Sequence, residues 1–370
     1  MKKIFLIAAA AAMVLSSCSK NTVSEDNSDV NAIGFGTYSG RTTKADGSLV
    51  VNGTGTTNSF TDDTHFGVYG YYTYGTTEDA AKWTTTATPD FMKNYDVHFK
   101  SNTYTYTPVK YWPKDETLNK ISFFGYYPYN NAAIAKTVPS TATPATGLGS
   151  YVFTVPEFPE NHVDFMLSDF VKDQSYSHTN TTTNGLVQLD FHHMLTRVGV
   201  AINTNADKYT TVKITSIIFK GGYIKTGTLA QNATATNSGW TLGTDTQSAY
   251  RLPVNDTKAT LTSREKVTDP NPAYVDVCAT DANSFRGDLL LIPQALSTTA
   301  KTNYIEVKYD YTTDGVTVHD TATADLKDQV WGMNKYTLYQ LTIDLASREI
   351  KFTAIVENWD SVTNNTIPLQ

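Results

Sequence analysis

Alternation of apolar and polar residues with a period of two is the feature of this sequence that most limits its fold. The segments YIEVKYDY, YTLYQLTIDL and EIKFTAIV all show it. Successive side chains of a β-strand point to opposite faces, so this pattern predicts strands with one buried face, which are typical of antiparallel sheets. In the first segment the buried face is predicted to consist of Ile305, Val307, Tyr309 and Tyr311.

Further strands are predicted along the chain, and no window has the period of a long amphipathic helix. In the first half we predict them at residues 33–38, 66–74, 104–111, 121–127 and 151–155. The segment LASREI, between the last two alternating segments, is short enough for a hairpin. The 23 tyrosines and 16 phenylalanines also favour pleated, half-buried surfaces. We therefore predict that the 370-residue chain is all-β and built from sandwiches.

The first residues have the pattern of a bacterial secretion signal. Two lysines, Lys2 and Lys3, precede an apolar run over residues 4–15, and the sequence LSSC then ends at Cys18. This ending resembles a lipobox, in which the cysteine becomes the mature N-terminus and carries acyl chains; the alternative is an ordinary signal peptide with a chance cysteine. Two or more acyl chains give a stable membrane anchor. We expect residues 1–17 to be a lipoprotein signal peptide and Cys18 to be lipidated.

Charge and cysteine content exclude several classes of function. The net charge of −7 argues against nucleic acid and against anionic membrane surfaces as partners. The polar, acidic residues 18–32 are predicted to be a flexible, lipidated tether. Of the two cysteines, Cys278 has no partner if Cys18 is lipidated, so no intramolecular disulfide is expected. A Cys/His zinc site is equally unsupported, and we expect no metal or cofactor.

The adjacent histidines of LDFHHMLTRVGVAI are the most conspicuous candidate ligands. His193 is in phase with the apolar residues before it, whereas His192 is in the solvent phase. Since neighbouring strand residues point to opposite sides, the two imidazoles are poorly placed to bind one metal. The apolar phase changes after Leu195, which predicts a bulge or tight turn at residues 194–197. We interpret both histidines as structural; the alternative is a ligand or catalytic role.

No catalytic fingerprint is present in the sequence. The tripeptide Arg286-Gly287-Asp288 matches an integrin-type motif, but it leads directly into an apolar run, and a turn into a strand explains it. The aromatic segments YGYYTYG and FFGYYPYN suit strand cores better than a sugar-binding face. Paired carboxylates for glycoside hydrolysis stay open, because their pairing is spatial. We predict that the chain is not an enzyme.

A series of segments, in order along the mature chain, resembles the Bacteroidales fimbrillins, the type V pilins of Bacteroides and Porphyromonas relatives. These are the lipobox, NAIGFGTYSGR, FGVYGYY, DFM, YTPVKYWP, ISFFGYYPY, VQLDFHHMLTRVGVAI, LLLIPQ and YTLYQLTIDL…EIKFTAIVENW. The resemblance implies two tandem transthyretin-like antiparallel β-sandwich domains, which we place at residues 33–180 and 181–370. It also implies no enzymatic activity, export as a lipoprotein to the outer membrane, and assembly with other pilin subunits into a surface fimbria.

The resemblance further implies how such a subunit matures. In fimbrillins an arginine-specific, trypsin-like protease cuts after an arginine that follows the first strand, and that strand then leaves. Here the removable strand would carry Ile33 and Phe35 inward, and cleavage would fall between Arg41 and Thr42. Lys44 is a second basic residue, but the arginine specificity of the family favours Arg41.

A C-terminal strand from another subunit replaces the lost strand in this family. The donor implied here is the tail after Trp359, with Ile367 and Leu369 as its apolar residues. Other tail residues in their phase are polar, and Pro368 removes one ladder donor. A shaft position is therefore in doubt, and tip, accessory or minor stalk positions stay open. A different class also stays open: a lipid-anchored surface glycan-binding protein that keeps its N-terminus and does not polymerise.

Overall fold

The computed structural model describes residues 32–38, 60, 62–101, 103–138, 147–177, 186–278, 287–347 and 349–359. Within these ranges the chain forms 23 strands and three short 3-10 helices, Asp79–Ala81, Pro159–Asn161 and Ala235–Asn237, which confirms the all-β prediction. Several predicted features lie outside the described residues: the signal peptide and tether, Cys18, Arg41, Thr42, Ile367 and Leu369.

Eight of the first ten strands build one large sheet. They are β1 (Gly34–Tyr38), β2 (Thr64–Tyr74), β3 (Met92–Lys100), β4 (Thr103–Thr105), β5 (Asn119–Tyr127), β6 (Ile134–Thr137), β7 (Ser150–Thr154), β8 (Met166–Ser168), β9 (Val171–Gln174) and β10 (Leu186–His193). The order in the large sheet is β1-β10-β8-β5-β2-β3-β4, with β9 added beside β5. The first strand therefore lies at one end of this order.

The later strands form smaller sheets. They are β11 (Thr196–Thr204), β12 (Thr210–Ile224), β13 (Thr226–Ala230), β14 (Gly239–Leu242), β15 (Thr246–Leu252), β16 (Thr260–Leu261), β17 (Leu289–Leu291), β18 (Gln294–Ala295), β19 (Tyr304–Thr313), β20 (Val316–Asp325), β21 (Val330–Trp331), β22 (Lys335–Asp344) and β23 (Glu349–Asn358). Their orders are β17-β11-β22-β23, β15-β12-β19-β20 with β16 beside β12, β14-β13-β7-β6, and β18-β21.

Two strand pairs differ from the antiparallel expectation. β1 runs parallel to β10, and β11 runs parallel to β22. A parallel pair needs a long connection, and in both cases the partners are far apart in the chain, so no hairpin fixes their direction. Local alternation could not reveal these pairs, because it reports which face is buried and not which strand lies alongside.

Strand pairing crosses residue 180, where the sequence analysis divides the chain. β10 pairs with β1 and β8 in the large sheet, and β13 pairs with β7 in a sheet that combines strands from both halves. The two halves are therefore joined by shared hydrogen-bond ladders. The two-domain division stays a prediction.

The large sheet is buried on both faces by two apolar clusters. β2 supplies Phe66 and Val68 to the smaller cluster, and Tyr69 and Tyr71 to the larger one. A strand buried on both sides has a continuous apolar run, which explains why FGVYGYY does not alternate. The smaller cluster includes Ile33 and Phe35 of the first strand region and Phe191 of β10, among others.

Most predicted strands are present, with one clear exception. The alternating residues Ile305, Val307 and Tyr309 are buried, and β22 and β23 form the predicted hairpin. Of the strand predicted at residues 104–111, only the part within β4 forms, so that prediction is largely wrong. Pro108 cannot donate to a ladder, and the chain from residue 106 onward passes over β1 instead.

Candidate functional site

The first strand is a short segment that the surrounding chain encloses. Ile33, Phe35 and Thr37 are all buried, Ile33 and Phe35 almost completely. The glycines between them let β1 approach its neighbours closely. A side-chain carbon added at Gly36 would lie 2.7 Å from Oε1 of Gln188 in β10. Large side chains therefore occupy one face of the strand, and the side chain of Gln188 lies over the other face at Gly36.

The first strand pairs with β10 on one side, and Ile33, directly before β1, forms a backbone hydrogen bond on the other side. The five residues of β1 pair in parallel with β10, from Gly34 opposite Leu186 to Tyr38 opposite Asp190. The other side meets residues 104–111, which we call the clasp. The backbone N–H of Ile33 donates to the carbonyl of Lys110 over 2.9 Å. We call the space between β10 and the clasp the β1 seat.

Two tyrosines of the clasp form hydrogen bonds to the strand through their hydroxyls. Tyr106 donates to the carbonyl of Ile33 over 2.7 Å, and the hydroxyls of Tyr104 and Thr37 lie 2.6 Å apart. Burial raises the pKa of both tyrosines well above the usual range, so their hydroxyls stay protonated and can donate. The ring of Phe35 meets Tyr106 edge-on, with ring centres 5.5 Å apart, and Phe123 at 5.8 Å. The seat thus recognises both backbone and side chains of an extended segment.

The end of the described chain is fixed beside the far end of β10. β23 is an edge strand, and Trp359 directly after it is buried and donates its backbone N–H to the carbonyl of Asn334. Its ring stacks on His193 with centres 3.9 Å apart and planes 3° apart. The same strand β10 therefore contacts β1 along its length and Trp359 through its last residue.

His192 and His193 face opposite sides, as predicted. His193 is buried, and its Nδ1 lies 2.8 Å from Oδ1 of Asp164, which is also buried. His192 is part-exposed, with Nε2 3.7 Å from Asp169. The predicted break after them is confirmed, because β10 ends at His193 and β11 begins at Thr196 in another sheet.

The surroundings of the remaining candidate metal ligands and of the Cys278 thiol indicate structural roles. In the part of the chain that the structure describes, no group of three or more His, Cys, Asp or Glu residues is arranged to hold a metal. Cys278 is a buried free thiol. Burial, together with Asp276 and Asp288, raises the pKa of this thiol well above its usual range, so it stays protonated and unreactive.

The acidic residue of the integrin-type tripeptide is not available to a receptor. Asp288 is buried, and its Oδ2 accepts from Nε of Arg197 over 2.6 Å. Gly287 has a φ of +72° and leads into β17, which confirms the turn into a strand. Arg286 lies outside the described residues.

The aromatic segments serve mainly as cores of strands. Tyr69, Tyr71, Phe124 and Tyr126 are buried in the larger apolar cluster. Tyr72 and Tyr74 are the exposed exceptions, 44% and 63% exposed at the end of β2. The distribution favours the strand-core interpretation over a continuous sugar-binding face.

Sequence reasoning missed the clasp. The segment YTYTPVKYWP was assigned to a strand, although Pro108 in its middle breaks a ladder and the aromatic residues before it signal a packing role. It also missed the contact between His193 and Trp359, for which the sequence contains no local signal.

Among the described residues, no helix is long and apolar enough to cross a membrane.

Comparison with known proteins identifies the family. A 218-residue region is 29% identical to the fimbrium subunit Fim1C of Phocaeicola vulgatus; it covers 56% of this chain and 54% of that protein, so the match spans about half the length of this curated relative. A fimbrial protein from Bacteroides vulgatus shares the fold, with a TM-score of 0.62 at 19% identity over 89% of this chain and 99% of the other. The family model described as fimbrillin-like matches residues 53–359. The chain therefore belongs to the fimbrillin-like family.

Proposed function

We propose that this chain is a structural or adhesive subunit of a cell-surface fimbria that assembles by β-strand exchange. The observation that carries the proposal is the β1 seat. It holds a short strand whose last residue, Tyr38, lies three positions before Arg41 in the sequence. A cut at that arginine leaves β1 attached by non-covalent contacts alone.

Strand exchange at this seat is energetically balanced. Burial of side chains such as Ile33 and Phe35 is worth about 1.5–3 kcal/mol each, and an incoming strand of similar pattern restores that burial. It also restores the ladder to β10 and the hydrogen bonds to the clasp. The exchange is therefore close to thermoneutral, and loss of the freed strand makes it one-way. Before cleavage the covalently attached β1 competes at very high effective concentration and blocks assembly.

The proposed donor is the tail of residues 360–370, with Ile367 and Leu369 as its apolar residues. Its base is held by the buried Trp359, so the tail extends from a fixed point. An extended strand advances roughly 3.3 Å per residue, which makes the tail long enough to add one strand to a neighbouring subunit.

The same proposal specifies location and partners. The precursor is lipidated at Cys18 and held at the outer membrane, and an arginine-specific protease releases it between Arg41 and Thr42. Other pilin subunits are its partners, and no cofactor takes part. The support is the family and the sequence pattern of the first residues.

Cleavage at Arg41 is tested by substituting it. Arg41→Ala should resist a trypsin-like protease at this point and stay unpolymerised, because β1 remains covalently attached. The matched control is Lys44→Ala, which should be cut and should assemble like the wild type. N-terminal sequencing of surface-exposed protein reads out both variants. An unchanged cleavage position in Arg41→Ala contradicts the proposal.

A second candidate is a lipid-anchored glycan-binding protein that does not polymerise. The exposed Tyr72 favours it, since its ring lies 6.2 Å from Phe91 and aromatic faces suit sugar rings. Such a protein keeps its N-terminus. A mature surface protein that begins at Cys18 would support this candidate and exclude strand exchange.

A further inference from the structure

We infer that the β1 seat selects an incoming strand with an aliphatic, an aromatic and a hydroxyl residue at alternate positions, and that it rejects the tail of a second copy of this chain. The partner is therefore a subunit of different sequence. This inference rests on the strand exchange proposed above and specifies which strand can enter.

The inward positions of the seat are shaped for Ile33, Phe35 and Thr37. Phe35 fills the space between Tyr106 and Phe123, where a smaller side chain leaves a cavity. The hydroxyl of Thr37 forms a hydrogen bond with buried Tyr104, and a purely apolar residue at this position would lose that side-chain hydrogen bond. An incoming strand must match size at two positions and chemistry at the third.

The outward positions require a free N–H, and the side chain of Gln188 lies over one of them. At Gly36 a side-chain carbon would lie 2.7 Å from Oε1 of Gln188, so that a larger residue requires Gln188 to move. Ile33 directs both its N–H and its carbonyl to the clasp. Because backbone groups of successive strand residues point to opposite sides, those of Gly34 and Gly36 face β10. A proline at either position removes a ladder hydrogen bond.

The tail of this chain fails these requirements. Its one pair of large apolar residues with the right spacing is Ile367 and Leu369, and Pro368 between them occupies an outward position. Leucine also replaces the aromatic residue. In other registers the inward positions receive residues such as Asn364 or Asn365, whose buried amides would have no partner. A second copy is therefore a poor donor for this seat.

Peptide exchange into the full mature chain, cut after Arg41, tests the selection. The probes are fluorescent peptides of residues 32–38, of residues 360–370, and of that tail with Pro368→Gly and Leu369→Phe, which creates the Ile-Gly-Phe order found at residues 33–35. The first peptide should enter. The native tail should bind about 100-fold more weakly, and the doubly substituted peptide, which stops before the position of Thr37, should regain only part of that loss. If the resident strand leaves too slowly, a Phe35→Ala chain releases it and leaves the seat unchanged.

The outcomes separate this inference from the proposed function. Binding of the native tail within about tenfold of the β1 peptide overturns the selection but leaves strand exchange in place. Failure of the substituted tail to bind better than the native one also overturns the selection. If no peptide enters the cut chain, strand exchange itself fails, and with it both proposals. In the full chain, ladders formed on unboiled gels by the cut wild type alone contradict the inference.

Discussion

The two ends of the described chain are held in opposite ways. β1 is five residues long, is buried on its large-residue face, and is contacted on both sides. β23 is ten residues long, pairs with β22 alone among the described strands, and carries exposed residues such as Val356. β1 is a short segment that fills the β1 seat, and β23 is a long edge strand fixed at its end by Trp359. This difference suits a strand that can be exchanged and a base that must stay in place.

The largest expected effect comes from truncating Phe35, the largest side chain that β1 places in the β1 seat. Phe35→Ala should destabilise the intact chain by about 3–5 kcal/mol, because it leaves a cavity between Tyr106 and Phe123. After cleavage, the strand with the truncated side chain should leave several hundred times faster. Urea unfolding and release of a labelled β1 measure the two effects. The control Val356→Ala, on exposed β23, should change neither; equal losses in both variants would abolish the contrast between the two ends.

A pH effect is expected at His162, which links the segment before β8 to β17. Nδ1 of buried His162 accepts from the N–H of Leu290, and Nε2–H donates to the carbonyl of Pro156. Burial lowers the pKa of His162 to about 4, from 6.5 in the unfolded chain. The unfolded state therefore takes up the proton first, and stability is lost as pH falls from 6.5 towards 4, by about 3 kcal/mol in total.

Denaturant midpoints at pH 7.5 and 5 measure this dependence. His162→Gln should flatten the part of the profile between these values, whereas substituting the exposed His319 should leave it unchanged. A profile with the same slope in His162→Gln would exclude His162 as its source.

The stability of the region around Trp359, at the base of the tail, should depend on His193. His193→Ala removes the stack on Trp359 and the partner of the buried Asp164, at an expected cost of about 1–3 kcal/mol. Release of the cut β1 should change much less than in Phe35→Ala. A double-mutant cycle with Trp359→Ala measures the direct coupling. A coupling energy of zero would show that the two rings do not stabilise each other.

The smallest effect is expected from one hydroxyl of the clasp. Tyr106→Phe keeps the ring against Phe35 but removes the donor to the carbonyl of Ile33. We expect a cost of about 1 kcal/mol and a release of cut β1 that is about five times faster. Global unfolding of a chain already lacking β1 should change less, because Tyr106 then keeps only its hydrogen bonds to Lys110. A larger change there would mean that Tyr106 supports the fold and not the strand.

The sequence predicts local properties of this fold well and long-range ones poorly. Ile305 and Val307 could be assigned to a buried face because alternation is a local consequence of strand geometry. The parallel pairing of β1 with β10 could not be predicted, since no turn links the two strands. Ile33 and Phe35 were identified through the family resemblance. Tyr104 and Tyr106 were missed, because their role depends on the chain passing back over β1.

The central claim is that a strand from another subunit replaces β1. The most direct test is the intact mass of subunits dissolved from purified surface fibres under denaturing conditions. If β1 is replaced in this way, the subunits begin at Thr42, and the same fibres contain no fragment with residues 32–38. A chain that begins at Cys18, or a β1 fragment retained in equal amount with the cut chain, would contradict it.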